Sequence, residues 1–295
     1  MYLSFYGFKE MPFNMTPDSR YFFESPKHTE ALSTLLYAVQ VRKGFVVVTG
    51  DIGSGKTTVC RTFLNRLDQN AVKTALIVNT HISGKDLLIT VLEELGVEIP
   101  SPNASKSRLL SVLNAYLIEQ LRHDVNVVLI IDEAQNLKSS VLEEVRMLSN
   151  LETESEKLVQ IILMGQPELK QKLSVSRLEQ LRQRVAVFYH LTPLAHDDMK
   201  KYIRHRLKIA SGTDREYFTE EALDQICRFT RGVPRVINQV CDSALLSGYI
   251  YEKAMVDAPL MEEVIKESPM AQLSAGKKNF WSEHSEPTTL ELEIM

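Results

Sequence analysis

The stretch Phe45-Val46-Val47-Val48-Thr49-Gly50-Asp51-Ile52-Gly53-Ser54-Gly55-Lys56-Thr57-Thr58 constrains this chain more than any other. Its apolar opening reads as a short buried strand, and Val59, Phe63, Leu64 and Leu67 recur behind it at helical spacing. Between strand and helix lies G-x-x-x-x-G-K-T, the pattern of a loop whose backbone amides cradle phosphates. Gly50, Gly53 and Gly55 are expected to supply backbone conformations closed to residues with side chains. The amides of Asp51, Ile52, Gly53, Ser54, Gly55, Lys56, Thr57 and Thr58 can then converge on phosphate oxygens at the positive end of a helix. Lys56 would set a cation on the β- and γ-phosphates, and Thr57 a hydroxyl on Mg²⁺. The expected cofactors are therefore ATP and Mg.

A second stretch completes the pattern. Val127-Val128-Leu129-Ile130-Ile131 is an apolar run without alternation, the mark of a strand buried on both faces, and Asp132-Glu133 follows it. At that carboxyl end Asp132 is expected to enter the Mg²⁺ shell. Glu133 is expected to polarise the attacking water as a general base. Three further strands are read at Thr74–Asn79, Leu158–Met164 and Val185–Tyr189. Gln166 follows the second of these, at the end of an open α/β sheet where ligands bind, and is a candidate to hold the water or the γ-phosphate. Arg182 and Arg184 precede the last strand. Each is a candidate to reach a neighbouring subunit's γ-phosphate and neutralise charge in the transition state, or else to make a surface ion pair.

Strands end at Leu191-Thr192-Pro193-Leu194. Beyond them, His196–Ala210, Thr219–Thr230, Val233–Glu252 and Asp257–Lys266 read as helices. The domains expected are an ATPase core at 1–192, a helical lid at 193–267 and a disordered tail at 268–295, the last too polar to fold alone. Within the lid, Arg231-Gly232-Val233-Pro234-Arg235 puts Arg235 in the first turn of a helix. There a cation opposes the helix dipole and wants an anion, for which an ATP phosphate is the natural choice. The first lid helix is basic (Lys200, Lys201, Arg204, His205, Arg206, Lys208), which reads as a solvated face or a partner contact. Residues 1–25 are rich in Tyr and Phe and are expected to lie extended over the nucleotide domain, with Pro12 and Pro17 barring a continuous helix.

The formal net charge of −4 makes no global case for nucleic acid. Cys60, Cys227 and Cys241 lack metal or disulfide spacing. There is no signal-peptide pattern and no run of about 18 apolar residues, so a cytoplasmic protein without a transmembrane segment is expected.

These residues resemble the AAA+ superfamily, and more narrowly the general secretion pathway protein A (ExeA/GspA) family. The resemblance rests on Met1-Tyr2-Leu3-Ser4-Phe5-Tyr6-Gly7-Phe8 with Pro12-Phe13-Asn14, on Ile131-Asp132-Glu133-Ala134-Gln135, on Gly165-Gln166-Pro167-Glu168-Leu169 and on Gly232-Val233-Pro234-Arg235. It implies an α/β P-loop NTPase fold with a parallel five-stranded sheet in the order 5-1-4-3-2 plus a small all-α lid. It also implies sensor roles for Gln166 and Arg235, and a homo-oligomer with ATP sites between subunits. Family members that serve secretion carry a membrane anchor and a peptidoglycan-binding region. The sequence shows neither, so a short form is expected. Such a form would work with an envelope-assembly or inner-membrane partner in secretion, polysaccharide export or pilus systems. The alternatives are a DNA-associated ATPase of the transposition or initiator type, holding phosphates through Lys200–Lys208, and an ATP-gated scaffold with little turnover.

Overall fold

A computed structural model describes residues 2–101, 103–154 and 156–268. In chain order the elements are α1 (Tyr2–Tyr6), α2 (Pro26–Gln40), β1 (Phe45–Gly50), α3 (Lys56–Arg66), β2 (Val72–Ile77), α4 (Gly84–Glu94), α5 (Lys106–Arg122), β3 (Asn126–Ile131) and α6 (Ser139–Leu148). They continue with β4 (Gln160–Gly165), α7 (Pro167–Leu173), α8 (Glu179–Arg182), β5 (Val187–Leu191), α9 (His196–Ser211), α10 (Glu220–Thr230), α11 (Pro234–Ile250) and α12 (Ala258–Glu267). The chain forms two compact units, one of residues 15–205 with 232–235, the other of residues 2–14, 206–231 and 236–268.

The first unit holds a five-stranded sheet in the order β2-β3-β4-β1-β5, every pairing parallel. This is the order 5-1-4-3-2, and it sets the strand leading to Gln166 between those leading to the P-loop and to Asp132. Successive side chains of a strand point to opposite faces, and the apolar runs fill both. Phe45, Val47, Leu129, Ile131, Ile161 and Leu163 join a core that includes Leu87, Leu109, Leu142 and Leu169. Val46, Val48, Val128, Ile130, Ile162 and Met164 join a core with Leu32, Leu35, Val59 and Phe63. Each fully buried Val or Ile contributes about 1.5–3 kcal/mol, so β1, β3 and β4 have one stable place, in the middle of the sheet. Helix starts follow local chemistry. Ser25, Ser83 and Ser105 each accept a backbone N–H at an N-cap.

The second unit is helical, and the aromatic N-terminus belongs to it. Residues 2–14 are grouped with this unit rather than extended along the nucleotide domain: Tyr2–Tyr6 is a short helix, and the Phe8 ring lies 4.7 Å from that of Tyr217. Tyr2 donates to Asp242 at 2.5 Å and Tyr6 to the Lys253 carbonyl at 3.0 Å. The rings bury here because their hydroxyls find acceptors, as buried Tyr requires. The basic face expected on α9 is interrupted too. Arg206 is buried and donates to Pro12 O at 2.6 Å and to Asn14 O at 3.3 Å. The expected tail at 268–295 lies outside the described residues, apart from Ser268. No helix among the described residues is long and apolar enough to cross a membrane.

Candidate active site

The loop between β1 and α3 turns through two left-handed glycines, Gly53 at φ +78° and Gly55 at φ +100°. Gly50 is needed for a different reason than expected. It is not left-handed, but a Cβ there would stand 2.7 Å from Leu191 O and 2.9 Å from Ser54 Oγ. The constraint is close approach of backbone to backbone. The carbonyls of the loop are claimed from within the chain. Lys56 Nζ donates to Gly50 O at 2.7 Å and Asp51 O at 2.9 Å. The Arg235 amide donates to Gly53 O at 3.3 Å, and His28 Nε2 meets Ser54 O at 2.9 Å. With these oxygens tied back, amide hydrogens of the loop are left for a ligand, except that of Ser54, expected among them, which instead donates to Asp51 O at 3.1 Å and closes the turn. Val59 N to Gly55 O is the first bond of α3, so the amides of Lys56, Thr57 and Thr58 precede the intrahelical ladder. Asp51 and Ile52 are exposed at the tip, while Ser54 is buried with its hydroxyl unpartnered among the described residues.

Thr57 and Asp132 lie 75 positions apart and meet: Thr57 Oγ1 donates to Asp132 Oδ2 at 3.2 Å. Burial pushes the Asp132 carboxyl up from its ordinary value, and the Glu133 charge adds to this. The Glu133 amide, bound to Asp132 Oδ1 at 2.9 Å, works the other way, as do Thr57 and the Lys56 cation. Burial likewise pushes the Lys56 ammonium down, opposed by the charges of Glu133, Asp132, Asp51 and Glu168. The donors fit magnesium. One carboxylate and one hydroxyl are hard oxygens, and Mg²⁺ is characteristically held by one or two such groups plus phosphates and waters rather than by a protein cage. Accordingly, no cluster of three or more His, Cys, Asp or Glu side chains suited to a metal occurs among the described residues.

Glu133 follows β3 with φ +52°, a left-handed position that costs a non-glycine residue about 1–3 kcal/mol. Its carboxylate takes two amide donors: Gln135 Nε2 at 2.5 Å and Gln166 Nε2 at 3.2 Å. Gln135 also accepts the Gln166 backbone N–H on its Oε1 at 3.0 Å, and Lys172 donates to its carbonyl. Sequence reasoning missed Gln135 as a site residue. It also missed His28, a buried histidine of α2. Of the other candidates, Arg235 sits against the loop, since a Cβ on Gly53 would meet Arg235 Cβ at 2.6 Å. Arg182 and Arg184 are not brought to the chain's own loop. Arg182 is exposed and bonds Ser174 O at 3.4 Å and Glu179 at 3.7 Å, and Arg184 bonds Ser149 O at 3.5 Å.

A glycine loop after β1, the Thr57–Asp132 pair with Glu133 after β3, and Gln166 after β4, in this strand order, define a P-loop ATPase of the AAA type. Comparison with known proteins agrees. Residues 39–173 match the AAA domain family. The chain is a relative of general secretion pathway protein A of Aeromonas hydrophila, 40% identical over 250 residues, which is 84% of this chain and 45% of that protein. It thus spans a little under half of that relative's length. The fold matches the Aeropyrum pernix ORC2 protein, solved as ADPNP-ADP complexes, with TM-score 0.66, 16% identity and coverage of 91% of this chain and 75% of the other. It also matches the Walker-type ATPase of Pyrococcus abyssi, with TM-score 0.60, 18% identity and coverage of 92% and 80%. At such identities these two matches speak for the fold alone.

Proposed function

We propose that the chain hydrolyses ATP to ADP and phosphate and couples turnover to a cell-envelope assembly or secretion system. The observation that carries the chemistry is the Thr57–Asp132 contact at 3.2 Å beside the Lys56 cation. Magnesium bound by Thr57 and Asp132 would neutralise charge on the β- and γ-phosphates. The loop amides and Lys56 bind and orient the triphosphate. Glu133, aimed by Gln135 and Gln166, accepts the proton of the attacking water. Arg235 serves the same phosphates from beside Gly53. Arg182 or Arg184 supplies the remaining cation to a neighbouring subunit in a homo-oligomer, which fits their distance from the chain's own loop. Residues 193–267 act as the lid. The envelope role is supported by the relationship to a general secretion pathway protein, and a cytoplasmic place beside an inner-membrane partner follows from that role.

Phosphate release and ATP affinity of Lys56→Ala and Glu133→Gln test the reading. Lys56→Ala should lose binding. Glu133→Gln should keep binding and lose about 10²–10⁴-fold in turnover, the usual worth of a general base. Turnover of Glu133→Gln at the parent rate would overturn the assignment.

A further inference from the structure

We infer that His28 is a positioning residue of the nucleotide site: it fixes the Ser54–Gly55 peptide so that the Gly55 amide faces the phosphates. The inference rests on the site reading above and adds a residue outside the loop and the β3 and β4 termini.

His28 sits in the first turn of α2, 26 positions before Ser54, and is buried. Its Nε2 stands 2.9 Å from Ser54 O. A carbonyl can only accept, so Nε2 carries the proton. Nδ1 is then the acceptor, and it takes the Ser25 hydroxyl at 2.8 Å, while Ser25 Oγ accepts the His28 backbone amide at 3.3 Å. Both ring nitrogens are used, and the imidazole is locked between the N-cap of α2 and the loop.

The consequence lies in the peptide plane. A trans peptide points its C=O and N–H to opposite sides. Holding Ser54 O on His28 therefore commits the Gly55 N–H to the other side, away from α2. Gly55 has the matching constraint. With φ +100°, a Cβ there would lie 2.7 Å from His28 Nε2. The glycine is thus demanded by its dihedral and by the imidazole against its Cα. Neighbouring carbonyls are fixed by the loop's own lysine at 50 and 51 and by a main-chain amide at 53. At Ser54 the donor is a side chain from an element not otherwise part of the site, so a single substitution outside the loop can release this peptide.

A satisfied core histidine would be indifferent to which nitrogen a substitute imitates. Glutamine places an amide donor near the position of Nε2. Asparagine, one methylene shorter, reaches only the level of Nδ1 and leaves Ser54 O without its donor. ATP affinity by equilibrium titration, ATPase kinetics and thermal midpoints would be measured for His28→Gln, His28→Asn and Lys56→Ala. His28→Asn should weaken ATP binding about 10–100-fold, the worth of the Gly55 amide's hydrogen bond to a charged phosphate, with KM rising and kcat within about threefold of parent, as expected when binding alone is lost. His28→Gln should stay within about threefold in both. Equal ATP affinities for His28→Asn and His28→Gln overturn the inference, whatever their thermal midpoints. If Lys56→Ala also binds ATP like the parent, the site reading itself falls; if only Lys56→Ala is impaired, the role of His28 alone is refuted.

Discussion

Gly165→Ala is a perturbation of one methyl group that should reach the chemistry without touching the loop. Gly165 ends β4 without a left-handed φ, so alanine brings no backbone strain of that kind. A Cβ there would lie 2.7 Å from Gln135 Oε1, 3.0 Å from Leu169 Cδ2 and 3.3 Å from Gln135 N. The first contact is the far end of a flexible side chain, so Gln135 is what gives way. Moving it breaks two bonds, the Gln166 amide to Gln135 Oε1 and Gln135 Nε2 to Glu133. A neutral bond is worth about 0.5–1.5 kcal/mol and one to a carboxylate about 1.5–3, so the organisation lost is about 2–4.5 kcal/mol. Since each 1.36 kcal/mol of barrier is tenfold in rate, kcat should fall roughly 30- to 2,000-fold. ATP affinity should be unchanged, because the Thr57–Asp132 pair and the loop carbonyl contacts are elsewhere. Overpacking of about 1–3 kcal/mol should lower the thermal midpoint by a few degrees. The assay is phosphate release against ATP concentration, with nucleotide affinity measured separately. Parent kcat in a folded Gly165→Ala protein would refute the reasoning that Gln135 aims Glu133.

Gly232→Ala should be far more damaging to folding than to any single contact, because φ is +79° and a Cβ would stand 2.1 Å from the Leu194 carbonyl oxygen, which is backbone and cannot swing away. A loss of at least about 3 kcal/mol in denaturant stability is expected. Stability should also fall on mild acidification. Burial holds the His28 imidazole below its ordinary value of 6.5, outweighing the opposing effects of the Ser54 carbonyl and the Asp198 charge. The unfolded chain then binds the proton first, so stability is full above about pH 6.5 and declines as pH drops toward the lower folded value, at up to about 1.4 kcal/mol per unit. Denaturation midpoints at pH 7.5 and 5.5 (chosen to straddle about 6.5) should show this for the parent, and the His28 component should vanish in His28→Gln.

What could be read from the residues alone was whatever is local or nearly so. The runs at 45–48 and 127–131 are apolar without alternation, the mark of a doubly buried strand, and they lie in β1 and β3. The P-loop was legible because its function is carried by contiguous backbone. Strand edges were less so: β2 and β5 lie at the margins of the sheet, where alternating exposure blurs the pattern, and they sit at Val72–Ile77 and Val187–Leu191 rather than at 74–79 and 185–189. Short helices such as Pro167–Leu173 and Tyr2–Tyr6 have too few turns to show a period. The supporting partners were invisible for another reason. His28 with Ser54, Gln135 with Gln166 and Tyr2 with Asp242 are joined by the fold across 26, 31 and 240 positions, and each residue type taken alone is unremarked.

In the proposed reading, Thr57 and Asp132 jointly receive the metal that accompanies the triphosphate. The direct measurement is ATP affinity as a function of Mg²⁺ concentration, with EDTA as the zero point, in the parent and in Asp132→Asn. ATP should bind the parent more tightly as Mg²⁺ is added, and Asp132→Asn should lose this dependence while still binding metal-free nucleotide. A parent whose affinity ignores Mg²⁺, or an Asp132→Asn protein that keeps the parent's dependence, would contradict this reading.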